Sequence, residues 1–156
     1  MNNFNFVDIY KVNDIHQSSN LKHKLYPVDI THIDVAEKNL QCKLPKELKQ
    51  FYLEIGYGFF WQKDKRSFDR LLSPLELVQI NLREDFYEFD PDLEIYDEDN
   101  KLIFLEVNEG LYLTIEKEDI DGKNAIYYFD KKISNSLKGF LIEFDKNASL
   151  IDELEI

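Results

Sequence analysis

Residues 30–61 constrain the fold more than any other stretch, because they combine two short helical patterns with an aromatic strand. Apolar residues in the first pattern recur at helical spacing, and those in the second occupy i, i+3, i+4 and i+7. The first set is Ile33, Ala36 and Leu40, and the second is Leu48, Phe51, Tyr52 and Ile55. Helices with one apolar face each need a sheet to cover, which the rest of the chain is expected to supply.

The ends of these two helices are also marked in the sequence. Thr31, with Asp34 three residues later, forms a weak capping box and predicts the start of the first helix. Pro45 is predicted to open the second helix, where its missing N–H costs nothing and its φ is already helical. Gly56 and Gly58 are predicted to end it, one of them in the left-handed position beyond the terminus.

Two further helices are predicted later in the chain. Ser73, Pro74 and Glu76 have the residue types of an N-cap, a first helical position and a third helical position, and the helix is expected to reach about residue 84. A last helix begins within residues 134–136. Gly139 is expected to weaken it by about 1 kcal/mol relative to alanine.

Strand patterns separate these helices. They lie at residues 58–62, 67–72, 101–107, 111–116 and 125–129. Strict alternation over 101–107 and 111–116, with Asn-Glu-Gly between them, predicts a hairpin. Residues 1–28 form an N-terminal extension whose pattern fits either a strand or a helix, and both alternatives stay open. The prediction is one α+β domain over residues 1–156: a single twisted, mainly antiparallel sheet flanked by helices on one side.

The order and spacing of several motifs resemble the SUKH superfamily, the Smi/Knr-type proteins. The opening signature is carried by Ile33, Ala36, Glu37, Leu40, Leu44, Pro45, Phe51, Leu53 and Gly56. Three positions depart from it: Gln41 stands where the family usually has Gly, Leu48 where it often has Tyr, and residues 55–58 replace Asn-Gly-Gly. Later pieces lie at residues 71–73, 107–110 and 137–144. The resemblance covers about residues 30–145 and implies a SUKH-like fold.

Length and charge limit the classes of partner. A chain of 156 residues with 44% apolar residues is expected to form one packed domain. It has 31 acidic and 19 basic residues, a net charge of −12, which disfavours nucleic acid and anionic membranes and favours a basic protein partner. No signal peptide or membrane-spanning stretch is recognised, so a cytoplasmic location is expected. Cys42 is interpreted as an ordinary half-buried side chain.

The most unusual composition lies in residues 84–99, which hold nine acids and no base. Aromatic residues are interleaved with them. One interpretation is a solvated connection whose aromatic side chains tuck onto the domain. Another is a docking surface, with carboxylates for steering and aromatic side chains for anchoring. An EF-hand fails, because a loop starting at Asp90 has Ile95 at position 6 and Lys101 at position 12.

Chemistry that would mark an enzyme is not recognised in the sequence. The five glycines form no nucleotide-phosphate loop, and no serine or cysteine lies in a nucleophile motif. His16, His23 and His32 lack metal-ligand spacing and are interpreted as solvated or locally bonded. A glycosidase-like pair of carboxylates stays open as an alternative, although so many acidic residues also give such pairs by chance. Trp61 near Tyr57 fits stacking on a ligand or packing under the sheet. The expectation is a protein with no catalytic residues, metal or cofactor.

The resemblance implies a bacterial immunity protein that neutralises a cognate toxin, often a nuclease, by direct binding. An acidic inhibitor suits a basic toxin of this kind. The predicted partner-binding residues are Tyr57, Trp61, Glu84, Asp85, Glu88, Asp90, Asp92, Glu94, Tyr96, Asp97, Glu98 and Asp99. Charge reversal at the last three is expected to slow association. Two other functions stay open: a regulatory scaffold that binds endogenous enzymes, as in cell-wall-regulating family members, and a small acid-dependent hydrolase.

Overall fold

A computed structural model describes residues 3–12, 21–62, 69–96, 99–108 and 110–155. Within these ranges seven strands form one antiparallel sheet in chain order, which confirms the α+β prediction. The strands are β1 (Lys24–Tyr26), β2 (Tyr57–Phe60), β3 (Asp69–Leu71), β4 (Lys101–Val107), β5 (Leu111–Glu116), β6 (Ile126–Tyr128) and β7 (Lys131–Ser134). The helices are α1 (Ile30–Leu40), α2 (Lys46–Glu54), α3 (Pro74–Asn81) and α4 (Leu137–Lys146). Short 3-10 helices lie at Asn5–Tyr10, Asp85–Tyr87, Pro91–Tyr96 and Asp152–Glu155.

Strand register divides the sheet into two faces. The inner face carries Gly58, Leu71, Leu105, Leu113 and Tyr128, which are aligned across β2 to β6. It packs on α4 through the rings of Phe60 and Phe144, whose centroids are 5.4 Å apart. The outer face carries Phe59, Arg70, Glu106 and Tyr112 in the next row. The 3-10 helix Pro91–Tyr96 covers part of this outer face, because Tyr96 contacts Tyr112 edge-to-face.

The strict alternation predicted for β4 is interrupted. The pairing of β4 with β5 shifts between Ile103 and Leu105, so Phe104 is an extra residue in the ladder. Such a bulge turns successive side chains away from simple alternation. As a result Leu102 to Leu105 are all buried. Asn81 secures the bulge from α3: its amide oxygen accepts the Ile103 N–H, and its amide nitrogen donates to the Ile103 carbonyl.

Helix ends partly follow the sequence signals. The capping box of Ser73 and Glu76 is confirmed, although α3 ends at Asn81 rather than near residue 84. The first helix is capped by Asp29, whose carboxylate accepts the Thr31 N–H, so the predicted cap at Thr31 is wrong. Pro45 is the N-cap of α2 rather than its first residue.

The glycines after α2 have a different role from the predicted one. Gly56 and Gly58 have φ values of 135° and 146°, well beyond the left-handed helical region. A Cβ on Gly56 would lie 1.8 Å from the Tyr26 carbonyl oxygen, and one on Gly58 2.2 Å from that of Lys24. These positions therefore need glycine because β1 approaches the backbone so closely. Left-handed residues follow two other helices: Gln41 has φ 57° after α1, and Arg83 has φ 55° after α3.

The N-terminal region contributes to the core. The predicted alternative of a strand near its start is wrong, because Asn5–Tyr10 is a 3-10 helix. Phe4 and Val7 are fully buried, and the Phe4 ring contacts Phe51 of α2 edge-to-face at 5.1 Å. Neither β1 nor β7 was predicted, since both are short, contain lysine and lack an apolar alternation.

Candidate partner-binding surface

We call residues 84–96 the acidic segment; they carry six carboxylates and no basic residue. Five of the six are exposed to solvent, and Asp90 is half-buried. The exposed ones are Glu84, Asp85, Glu88, Asp92 and Glu94. Asp99 is also exposed, and Asp97 and Glu98 lie outside the described residues. Two 3-10 helices shape the segment, so its carboxylates belong to an ordered surface.

Arg83 and Leu93 hold the acidic segment against the sheet. The Arg83 guanidinium donates to the Leu93 carbonyl at 3.0 Å and to carbonyls at the end of α3. Leu93 is fully buried in the core. Burial of a leucine side chain stabilises by about 2 kcal/mol, which is ample to position a short segment. Neither anchor was predicted, because the partners of Arg83 are backbone atoms that a charge pattern does not reveal.

Tyr96 is the third anchor and lies in the core. Its hydroxyl accepts the Tyr112 N–H at 3.1 Å, and its ring stacks on Phe129 with centroids 5.8 Å apart. Burial raises the pKa of Tyr96. A side chain held in this way positions its neighbours and does not itself offer an exposed surface to a partner.

Two exposed apolar side chains lie among the carboxylates. Phe89 is 86% exposed and Ile95 is 64% exposed. Neither was among the predicted site residues, because interleaved aromatic residues do not show which of them point outward. Large apolar side chains framed by charge are typical of protein-binding surfaces.

The two aromatic residues predicted near the end of α2 lie in different environments. Tyr57 is half-buried on the outer face of β2. Trp61 is only 8% exposed, and its indole N–H donates to the Phe144 carbonyl at 2.9 Å. The packing alternative thus describes the position of Trp61, and Tyr57 is the more accessible of the pair.

Trp61 belongs to a buried cluster around His23. The Trp61 backbone N–H donates to His23 Nδ1 at 3.0 Å, and His23 Nε2–H donates to the Asp145 carboxylate at 2.8 Å. The interpretation of His23 as solvated or locally bonded is therefore wrong, since it is fully buried and its partners are distant in sequence. Burial lowers the pKa of His23 to about 4, which keeps the imidazole neutral at pH 7.

Arg70 connects the outer face of the sheet to the acidic segment. Its guanidinium binds the carboxylates of Glu76 on α3 and Glu106 on β4, the latter at 2.9 Å. The Tyr87 side chain lies close enough to this guanidinium to interact with it electrostatically. Burial, followed by the nearby Glu106 carboxylate, raises the pKa of Tyr112 in the same region. The surface of β3 and the acidic segment are thus one continuous structure.

The buried carboxylate of Glu47 is occupied by structural bonds. Glu47 is 6% exposed and accepts the N–H groups of Asn124, Leu137 and Lys138 at 2.6, 2.9 and 3.1 Å. Two of these donors are the orphan amides at the start of α4, where a negative charge is favourable. In the part of the chain that the structure describes, no three His, Cys, Asp or Glu side chains are grouped as metal ligands. Within the same ranges, every helix is too short or too polar to span a bilayer.

Comparisons with known proteins agree with this fold. The model of the SMI1 / KNR4 family (SUKH-1) matches residues 27–143. A relative from Bacillus subtilis (strain 168), named immunity protein YxxD, is 44% identical over 131 residues, which are 83% of this chain and 88% of the relative. The resemblance seen in the motifs of residues 30–145 is therefore confirmed. This chain belongs to the SMI1 / KNR4 family (SUKH-1).

Proposed function

We propose that this protein is an immunity protein that neutralises a cognate bacterial toxin by binding it directly. The name of its Bacillus subtilis relative supports the role. The observation that carries the mode of action is the acidic segment, which presents five exposed carboxylates and two exposed apolar side chains on an ordered backbone. A preorganised surface loses little entropy on binding, which favours tight association.

The carboxylates and the apolar side chains have separate roles in this proposal. Exposed charges accelerate encounter with a basic protein and contribute modestly to affinity. Phe89 and Ile95 supply the apolar contact area that a specific interface needs at its centre. Tyr57 and Asp99 extend the same surface, and the positions of Asp97 and Glu98 in the sequence add to its charge. Tyr96 supports the surface from below. Trp61 lies in the buried His23 cluster against α4, so the proposed surface does not include it.

The toxin is proposed to be a basic protein, and a nuclease is the class that this chemistry suits best. Nucleases bind phosphate backbones through lysine and arginine side chains. An acidic surface with outward carboxylates is complementary to such a cleft and would block it. The net charge of −12 supports this choice of partner.

Capture followed by a growth assay tests the role. The purified protein is used to capture partners from its source organism at low and high salt, with identification by mass spectrometry. Each captured protein is then produced in a heterologous bacterial host, with and without this chain. One captured protein that arrests growth, and whose effect this chain relieves, is the expected result. A set of housekeeping enzymes with no effect on growth would contradict the proposal and favour a regulatory scaffold.

The proposed surface has its own test. Phe89→Ala is expected to weaken toxin binding at least about tenfold, because an exposed aromatic anchor at an interface contributes 1.4 kcal/mol or more. Ile120→Ala is the matched control, since Ile120 is 71% exposed and lies in the turn before β6. Isothermal titration calorimetry measures both variants. Equal affinity of the two variants for the toxin would show that the acidic segment is not part of the interface.

A further inference from the structure

The outer face of the sheet holds a groove of about 330 Å³ between β1, β2 and the start of α3. Tyr26 and Tyr57 form one wall, with ring centroids 5.9 Å apart and planes tilted by 39°. Arg70, Ser73 and Glu76 also line the groove. The volume is at the lower limit of small-molecule sites, so the groove suits one long side chain better than a larger ligand.

The charges in the groove favour a cation over an anion. Arg70 is the only basic group that lines it in the described part of the chain, and both terminal nitrogens of Arg70 already bind carboxylates. Those carboxylates belong to Glu76 and Glu106, so the three groups together carry one negative charge. The Glu76 carboxylate is about one-third exposed and lies at the groove surface. Tyrosine ring faces add a region of negative potential.

The groove is also continuous with the acidic segment. Arg70 interacts electrostatically with Tyr87, which lies in the first 3-10 helix of that segment. A partner that covers the acidic segment therefore reaches the groove without crossing a different surface. This continuity makes a side chain of the same partner the natural occupant.

We propose that the groove receives an arginine side chain of the toxin, with its guanidinium against the tyrosine rings and directed toward Glu76. This inference rests on the proposed function. A planar guanidinium stacks on aromatic rings and hydrogen-bonds carboxylates, which an ammonium group does less well. The acidic segment steers the toxin, and the groove selects a toxin that has an arginine at the matching position.

A minimal probe tests the groove without the toxin. Nα-acetyl-arginine methylamide is titrated into ¹⁵N-labelled protein, with the neutral isostere Nα-acetyl-citrulline methylamide as the matched control. The expected result is saturable shifts of the Tyr57, Gly58 and Ser73 amide signals with arginine alone. Equal shifts with citrulline, or arginine shifts confined to residues 84–96, would overturn the proposal.

Variants test the same contact with the captured toxin. Tyr57→Leu is expected to weaken binding between about 2- and 30-fold, the range of a cation–π contact. Tyr127→Leu is the control, because it replaces a half-buried tyrosine on β6 of the same sheet. Circular dichroism of both variants confirms that they fold. If Tyr57→Leu binds the toxin as tightly as the control, the proposal that the groove receives an arginine is wrong, while the immunity function stands. Failure of the wild-type protein to neutralise any toxin would instead contradict the proposed function itself.

Discussion

Glu47 shows how one buried carboxylate joins parts of the chain that are far apart in sequence. It receives three backbone N–H groups, from the start of β6 and the start of α4, and its own N–H donates to the Asn124 amide oxygen at 3.0 Å. The link spans up to 91 positions. A charge that is almost fully buried is tolerated because every bond it needs is present.

Removal of this carboxylate is expected to destabilise the fold. Glu47→Ala leaves three amides without their acceptor, each of which costs about 1–3 kcal/mol when buried, so a loss of about 3 kcal/mol or more is expected. Urea unfolding followed by fluorescence measures the free energy of unfolding. Glu118→Ala is the control, since Glu118 is exposed, and its effect is expected within about 0.5 kcal/mol. A loss below 1 kcal/mol for Glu47→Ala would contradict this account.

His23 makes stability depend on pH in a range where most carboxylates stay ionised. Its pKa is about 4 in the folded protein and about 6.5 in the unfolded chain, so the unfolded state binds the extra proton first as pH falls. The stabilisation that the neutral His23 contributes is complete above pH 6.5 and is lost progressively as the pH falls toward 4. Between pH 7 and pH 5 the free energy of unfolding is expected to fall by about 2 kcal/mol.

Denaturation monitored by Trp61, the single tryptophan, measures this fall at several pH values. His23→Gln is expected to be less stable at pH 7 and to show a flatter pH dependence over the same range. His32→Asn, at a half-buried position on α1, is expected to keep the wild-type slope. Equal stability of the wild-type protein at pH 7 and pH 5 would show that His23 titrates normally.

At the scale of elements, the acidic segment is ordered by few contacts. Leu93 is buried in the core, Arg83 donates to the Leu93 carbonyl, and the Tyr96 hydroxyl accepts the Tyr112 N–H at the start of β5. Arg83, directly before the segment, and Asp85, its second residue, have positive φ values of 55° and 50°. Such conformations persist only when surrounding contacts determine them. The order of the segment therefore depends on its anchors.

Leu93→Ala is expected to release the acidic segment before the rest of the fold. The lost packing costs about 2–5 kcal/mol at a core position, which is enough to open a short segment locally. Hydrogen exchange of residues 85–96 is expected to accelerate at least tenfold, while the amides of β4 and β5 stay protected. Leu53→Ala on α2 is the control, because Leu53 is 55% exposed. If Leu93→Ala left hydrogen exchange within the acidic segment unchanged, contacts other than the packing of Leu93 would be responsible for its order.

At the scale of the whole molecule, the charge is distributed unevenly. Residues 84–99 hold nine negative charges of a chain with a net charge of −12, and the 3-10 helix Pro91–Tyr96 within them contacts the outer face of the sheet through Tyr96. Around the α1–α2 junction, by contrast, lysines and acids are mixed: Lys43, Lys46 and Lys49 lie there with Glu37, Glu118 and Asp119. A molecule with such an asymmetry orients a basic partner toward its acidic side before contact.

Charge reversal tests this orientation. Replacement of Glu88, Asp92 and Glu94 by lysine is expected to slow association with the captured toxin about tenfold or more at low salt and to flatten the salt dependence of the rate. The same reversal at Glu118, Asp121 and Glu143 changes net charge equally at exposed positions on other elements. Stopped-flow kinetics compares the two. Equal rates would assign steering to net charge rather than to the acidic segment.

Short-range signals account for the parts of the fold that the sequence determined by itself. The capping box at Ser73, the apolar face of α2 and the hairpin of β4 and β5 each depend on residues a few positions apart. Gly139 marks the limit of such signals. A Cβ there would lie 2.8 Å from the Ser136 hydroxyl that caps α4, so replacement by alanine would disturb the cap rather than simply strengthen the helix.

Only the tertiary structure decided which side chains of the predicted site face solvent. Trp61 and Tyr96 have the same aromatic character as Tyr57 and Phe89 in the sequence, yet the first two are buried. Burial depends on partners distant in the chain: Trp61 donates to a carbonyl 83 positions away, and His23 binds a carboxylate 122 positions away. Composition determined that the protein is acidic, and packing across the sheet determined which carboxylates and apolar side chains form its surface.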